Sequence, residues 1–98
     1  MPKLTVELDA SALKEKIEQM GVRQSIMRVD AVSVSGRVPI YVDDIIGISY
    51  RWKGSIELDP NWYTIVARGI QSPFFEKQSE RIDLSHTDKT VQINWKEN

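Results

Sequence analysis

Apolar and polar residues alternate along the first segment of the chain. The stretch from Lys3 to Leu8 reads KLTVEL, with leucine or valine at every second position and polar residues between them. Side chains two residues apart share a face of a strand. This pattern therefore predicts that the fold begins with a half-buried β-strand.

The spacing then changes to that of a helix. Leu13, Ile17 and Met20 recur with helical periodicity, and the positions opposite them are charged. Asp9 is placed to cap the first turn, and a glycine follows the last apolar residue of the stripe. The pattern predicts one helix over about Ala10 to Met20, packed on a sheet by this narrow apolar stripe.

Two features of the next segment predict how its strands are paired. The apolar phase changes between Met27 and Val34, which predicts a β-bulge near Ala31. Pro39 cannot donate a hydrogen bond to a ladder. The strand from Val38 to Val42 is therefore predicted to lie at the edge of a sheet.

The segment from Val38 to Arg68 has the clearest strand pattern and most of the aromatic residues. Tyr50 and Trp52 share a face with two isoleucines, which predicts that both belong to the core. Lys53–Ser55 is predicted to close a hairpin, and Asp59–Asn61 to form a turn. The strand after that turn is apolar on both faces, which is typical of a strand covered on two sides.

The end of the chain is predicted to contain a hairpin. Its strands are Arg81 to Leu84 and a last strand that directs Val91, Ile93 and Trp95 inward, whereas Ile70 to Gln78 is predicted as a loop. Taken together, the elements predict an α+β fold. It is mainly antiparallel sheet (a twisted sheet, a small sandwich or a partial barrel) with one N-terminal helix packed on it.

Composition bounds the class of protein. A chain of 98 residues that is 41% apolar is expected to form one domain over residues 1–98. It has no cysteine, so disulfides, thiolate metal sites and cysteine nucleophiles are excluded. The 13 basic and 14 acidic residues are interspersed, so no global field favours nucleic acid or a membrane. A charged N-terminal segment and the lack of a membrane-length apolar run predict a cytoplasmic protein.

One tetrapeptide matches a catalytic motif. The sequence Tyr41-Val42-Asp43-Asp44 resembles the YxDD hairpin of reverse transcriptases, in which adjacent carboxylates hold magnesium ions for phosphoryl transfer. The resemblance implies a metal site at Asp43 and Asp44, with Asp9 as a third carboxylate, and a nuclease or nucleotidyl transferase as a remote alternative function. It covers four to six residues, so a polar turn is favoured, and no cofactor or metal is predicted.

His86 is the only histidine of the chain, so a general base of the usual kind could come from nowhere else. It lies in the polar sequence Ser85-His86-Thr87-Asp88. Catalytic triads are assembled from distant segments, so neighbours within one turn are weak support for nucleophilic catalysis. No catalytic residue is therefore predicted.

Five aromatic and basic residues are the candidates for a binding surface. Arg51 and Lys53 point away from the aromatic side chains of their own strand, and Trp62 shares a face with Arg68. Trp95 follows the last predicted strand and would serve as an interface anchor if it does not fold into the core. Mixtures of this kind also hold single-stranded nucleic acid, with bases stacked on aromatic rings.

These features favour a non-enzymatic interaction module. It is predicted to bind a partner protein, or to assemble with copies of itself, through sheet edges and this aromatic and basic face. Binding of single-stranded nucleic acid is the alternative.

Overall fold

The computed structural model describes residues 1–19, 26–44, 50–70 and 77–95. Within them lie eight β-strands, one short α-helix and one 3-10 turn. The strands are β1 (Lys3–Asp9), β2 (Ile26–Ser33), β3 (Gly36–Ile40), β4 (Asp43–Asp44), β5 (Arg51–Glu57), β6 (Trp62–Ile70), β7 (Gln78–Asp83) and β8 (Lys89–Asn94). The 3-10 turn spans Ser11–Leu13, and α1 spans Lys14–Gln19.

The strands form two four-stranded sheets. Sheet A has the order β4-β5-β1-β8, and sheet B has the order β3-β2-β6-β7. The ladder between β1 and β8 is parallel, and the other ladders within the described residues are antiparallel. The first strand therefore lies inside sheet A, between β5 and β8.

One apolar core lies between the two sheets. The alternation predicted for β1 is confirmed, because its three apolar side chains are at most 1% exposed. Tyr50 and Trp52 are also core residues as predicted, with 8% and 7% of their surfaces exposed. They belong to the same cluster as Val29 and Ile65 of sheet B. The inner faces of both sheets thus pack into a single core.

The predicted α+β class is wrong. The eight strands contain most of the described residues, and no helix in the described part of the chain reaches seven residues. None of these helices is long and apolar enough to cross a lipid bilayer. The fold is a mostly-β arrangement of two sheets, without the three-turn helix that the stripe of Leu13, Ile17 and Met20 predicted.

Backbone pairing explains why the helix does not start at Ala10. The Ala10 N–H donates to the carbonyl oxygen of Tyr50 at 2.9 Å, so the chain is still held by sheet A at this position. A 3-10 turn follows, in which Leu13 is buried, and only then does the six-residue α1 begin. Helices this short are marginal unless tertiary contacts hold them. Apolar spacing therefore overstated the length of the helix.

Three predictions of strand pairing are also wrong. β2 pairs without a skipped residue through Ala31, so there is no bulge at this position. β5 runs straight through Lys53–Ser55, which therefore closes no hairpin. β7 and β8 belong to different sheets, and β8 pairs with β1 instead. The apolar phase change in β2 arises because Val34, at the turn after the strand, is fully exposed rather than buried.

The predictions for the strands around Pro39 and Trp62 had different outcomes. The strand with Pro39 lies at the edge of sheet B as predicted, although it spans Gly36–Ile40. β6 was predicted to be covered on both faces. Instead its residues alternate, with Tyr63, Ile65 and Ala67 buried and Trp62 and Arg68 exposed. One face of β6 is thus left for contact with solvent or a ligand.

Gly54 allows the chain to cross between the sheets. After β3, residues Tyr41 and Val42 lead from sheet B to β4 in sheet A, and they pass directly over the middle of β5. A Cβ atom on Gly54 would collide with the carbonyl oxygen of Tyr41, and would lie 2.9 Å from Cγ1 of Val42. Only glycine leaves room for this close approach of two backbones.

We expect Gly54→Ala to destabilise the protein by about 3 kcal/mol, because the obstructing atom is backbone and cannot move aside as a side chain would. Ser55→Ala, at the next and exposed position, is the matched control and should cost less than about 1 kcal/mol. Urea unfolding of the three proteins measures both effects. Equal stability of Gly54→Ala and Ser55→Ala would show that the crossing does not depend on glycine.

Candidate interaction surface

The outer face of sheet A is covered by mutually neutralised charges. The register of β1 and β5 places residues of opposite charge directly across from each other, in the pairs Lys3–Glu57, Glu7–Lys53 and Asp9–Arg51. Lys53 Nζ lies 3.6 Å from Glu7 Oε1, and Arg51 Nε lies 3.4 Å from Asp9 Oδ2. Opposite charges in such positions stabilise a sheet. This face therefore offers few unsatisfied charges to a partner.

Asp9 is the most strongly engaged carboxylate of sheet A. Burial raises the pKa of Asp9, but hydrogen bonds from the Ser11 hydroxyl and N–H, at 2.6 and 2.8 Å, and the charge of Arg51 lower it overall. The carboxylate is therefore held in its charged form by its own neighbours. Its role is to close the turn after β1.

The outer face of sheet B has a different character, because it carries a partly exposed tryptophan. Trp62 begins β6 and has 49% of its surface exposed. The guanidinium carbon of Arg81, on the adjacent strand β7, lies 5.0 Å from the centroid of the Trp62 ring. This geometry is a cation–π contact. An exposed indole held in place by an arginine is a common anchor of binding surfaces.

A shallow groove adjoins Trp62 at the end of sheet B where β2 turns into β3. We call it the hairpin-end groove, and it is lined by Val32, Ser33, Val34, Asn61, Trp62, Tyr63, Thr64 and Arg81. Val34, which is fully exposed, forms its rim. Large apolar side chains that remain exposed together mark interaction sites more often than scattered ones do.

The turn before β6 holds Trp62 in position. Asn61 Oδ1 accepts a hydrogen bond from the Trp62 N–H at 2.8 Å, and the Asn61 carbonyl accepts one from the Leu84 N–H at 2.9 Å. The buried Tyr63 donates its hydroxyl hydrogen to the carbonyl oxygen of Asp59 at 2.6 Å. These three bonds fix the chain immediately before and after Trp62.

Arginines surround a buried carboxylate at the middle of this face. Asp30, on β2, is 3% exposed, and its Oδ2 lies 3.4 Å from Arg28 Nε and 3.7 Å from Arg37 Nη1. Its Oδ1 has no hydrogen-bond partner among the described residues. The register also places Arg28 directly opposite Arg68 of β6. Like charges in facing positions repel each other.

The structure separates the predicted binding residues. Trp62 and Arg68 lie on the outer face of sheet B, as the shared-face prediction required. Arg51 and Lys53 lie on the outer face of sheet A, where they pair with acidic residues. Trp95 is 3% exposed and packs in the core, so it is not a surface anchor of this chain. The five residues therefore do not form one surface.

Four further residues complete the face of sheet B and were not predicted from the sequence: Arg28, Arg37, Val34 and Arg81. Each lies on a strand or turn other than β6. Alternation shows which residues of one strand share a face, but it does not show which strands are neighbours. A correct prediction of the β2–β6–β7 order would have brought them together.

The side chains of the predicted metal ligands Asp43 and Asp44 lie outside the described part of the structure. The backbones of Asp43 and Asp44 pair with Lys53 and Trp52, so β5 separates β4 from the strand that carries Asp9. Among residues with described side chains, no group of three or more histidine, aspartate or glutamate residues could hold a metal ion. His86 is exposed in the turn before β8.

No protein-family model, curated protein or solved structure matches this chain. The interpretation of the surface is therefore built on its geometry.

We expect Tyr63→Phe to destabilise the protein by about 1 kcal/mol near neutral pH, because it removes the hydrogen bond to Asp59. Burial and the nearby charge of Asp59 raise the pKa of Tyr63 above its usual 10.0. The unfolded chain therefore ionises first as pH rises. The wild type should therefore have the higher free energy of unfolding below about pH 10, and this difference from Tyr63→Phe should disappear as pH rises through the raised pKa.

Urea unfolding of both proteins from pH 8 to pH 11 measures this difference. Tyr41→Phe is the matched control, because Tyr41 is 85% exposed and its loss of a hydroxyl should have no effect. A difference in the free energy of unfolding between wild type and Tyr63→Phe that stays constant from pH 8 to pH 11 would contradict the raised pKa of Tyr63.

Proposed function

We propose that this protein is a non-enzymatic binding module whose contact surface for a partner protein is the outer face of sheet B. The proposal rests on the hairpin-end groove, where the half-exposed Trp62 lies next to the fully exposed Val34 and is held by Arg81. Tryptophan and arginine are the residues most often found at energetic hot spots of interfaces. Among the described residues, the charge-paired face of sheet A has no comparable group. We also propose a cytoplasmic location.

Three of the four sheet edges, those of β3, β4 and β7, are less suited to binding than this face. β3 is interrupted by Pro39, which cannot donate a hydrogen bond to an added strand. β4 has two residues within the described part of the chain, which stops at Asp44, and β7 carries charged side chains at Glu80, Arg81 and Asp83. Natural proteins protect edges in these ways. We therefore place the contact, with a partner or with a second copy, on the face.

Site-specific photocross-linking tests the proposal. A photoreactive phenylalanine analogue at Val34, on the rim of the hairpin-end groove, should yield a discrete cross-linked product in cells. The same analogue at Ser55, exposed on the outer face of sheet A, should yield none. Adding Trp62→Ala to the Val34-labelled protein should abolish the product, because it removes the main apolar anchor.

A product of twice the chain mass would identify the partner as a second copy. Equal cross-linking from Val34 and Ser55, or a product that survives Trp62→Ala, would refute the assignment of the face. Thermal unfolding of the Trp62→Ala protein provides the control for folding.

Binding of single-stranded nucleic acid is a second candidate function, because the same face combines Trp62 with the exposed Arg68. Bases stack on such rings, and arginines contact phosphates. On this alternative, oligothymidylate should quench tryptophan fluorescence at low ionic strength, and its affinity should fall steeply with added salt. Quenching that is absent, or unchanged in Arg68→Gln, would exclude it.

A further inference from the structure

Positive charge on the outer face of sheet B is only partly neutralised. The register places four arginines on this face (Arg28, Arg37, Arg68 and Arg81) together with two carboxylates (Asp30 and Asp83). Asp30 is shared by Arg28 and Arg37, whereas Arg68 and Arg81 take part in no ion pair with the described residues. The face therefore complements an anionic ligand.

Arg28 shares Asp30 with Arg37, so the uncompensated charge on this pair of strands belongs to Arg68. Arg28 and Arg68 face each other across β2 and β6, and such like-charged pairs destabilise a sheet unless an anion lies between them. Arginine binds carboxylates through a fixed fork of N–H donors. Asp83, by contrast, lies directly opposite Trp62, and its negative charge repels a ligand carboxylate at that end of the face. An acidic group is therefore favoured at Arg68, opposite Arg28, and gains less beside the tryptophan, where Asp83 offsets the charge of Arg81.

The distance between the groove and this arginine pair sets a spacing. The hairpin-end groove is centred on the row formed by Val32, Thr64 and Arg81, and the arginine pair lies four residues further along β6, at Arg68. Strands advance about 3.3 Å per residue, so the two points are about 13 Å apart. An extended peptide advances by the same amount, and its residues i and i+4 share a face.

We infer that the ligand of this face is an extended protein segment with an apolar anchor in the hairpin-end groove and a carboxylate four residues from that anchor, bound between Arg28 and Arg68. This inference rests on the proposed function and specifies the chemistry of the partner. A carboxylate only two residues from the anchor would lie over Asp30, Pro39 and Val66, where it is repelled by the carboxylate of Asp30, which already pairs with Arg28 and Arg37.

The arginine on Trp62 favours a peptide over nucleic acid. Arg81 lies over the indole at 5.0 Å, so the ring face that it covers cannot stack on a base. Its guanidinium and the aliphatic rim residue Val34 instead form a pocket for an apolar side chain. A peptide anchor needs only such a pocket.

Two fluorescein-labelled peptides of identical composition test the inference by anisotropy. Both have a central phenylalanine in a background of serine, threonine and glycine. In the far peptide, glutamates lie four positions before and four positions after the phenylalanine. In the near peptide, they lie two positions before and after it. The symmetric design allows for binding in either chain direction, and we expect the far peptide to bind about tenfold more tightly.

Variants identify the groups responsible. Arg68→Gln should reduce the affinity for the far peptide to that for the near one, and Arg68→Lys should give an intermediate value, because it keeps the charge but loses the fork. Lys53→Gln, on the outer face of sheet A, is the matched control and should change neither affinity. Trp62→Ala should weaken the binding of both peptides.

Equal affinities for the two peptides, an undetectable affinity for both, or an advantage of the far peptide that survives Arg68→Gln would each overturn the inference. Tighter binding of oligothymidylate, sensitive to Arg68→Gln, would overturn it in favour of nucleic acid. If any of these results occurs while cross-linking from Val34 still requires Trp62, the inference fails and the proposed binding face stands.

Discussion

The shared apolar core is the constraint on which the rest of the molecule depends. Each sheet can bury its inner face only against the other, so inner positions of β1, β2 and β6 must be apolar and tightly packed. Strand alternation then sends every intervening residue outward. The outer residues are not constrained by packing in the core, and the two sheets carry different side chains at these positions. Sheet A pairs its charges across strands. Sheet B instead has arginines without an ion pair among the described residues and an exposed tryptophan.

Local pattern predicted the parts of the fold that depend on one strand at a time. The alternation of β1, the burial of Tyr50 and Trp52, and the edge position of the strand containing Pro39 all follow from side-chain period or from a missing N–H donor. The prediction of the helix was wrong because a backbone hydrogen bond to Tyr50 keeps Ala10 within the sheet. The prediction of a hairpin at Lys53–Ser55 was wrong because Gly54 gives room for the crossing segment of Tyr41 and Val42 and does not form a turn.

The outer face of sheet B was only half predictable for a related reason. Trp62 and Arg68 share one strand, so period alone placed them together. Arg81 contacts Trp62 from β7, and Arg28 faces Arg68 from β2. The local sequence of β6 predicts neither pairing. Trp95 could be read as surface or core, because a short segment after a strand carries no periodicity of its own, and the structure buries it.

The parallel ladder between β1 and β8 has a consequence for how the protein is made. β1 leaves the ribosome before β8, and this strand, which completes its second side, follows about eighty residues later. At about 5–20 residues per second, one edge of a strongly apolar strand remains open for roughly four to sixteen seconds. An open edge of this kind is a template for pairing with other nascent chains. The charged residues Lys3, Glu7 and Asp9 on β1 therefore protect the chain before any ion pair across the sheet has formed.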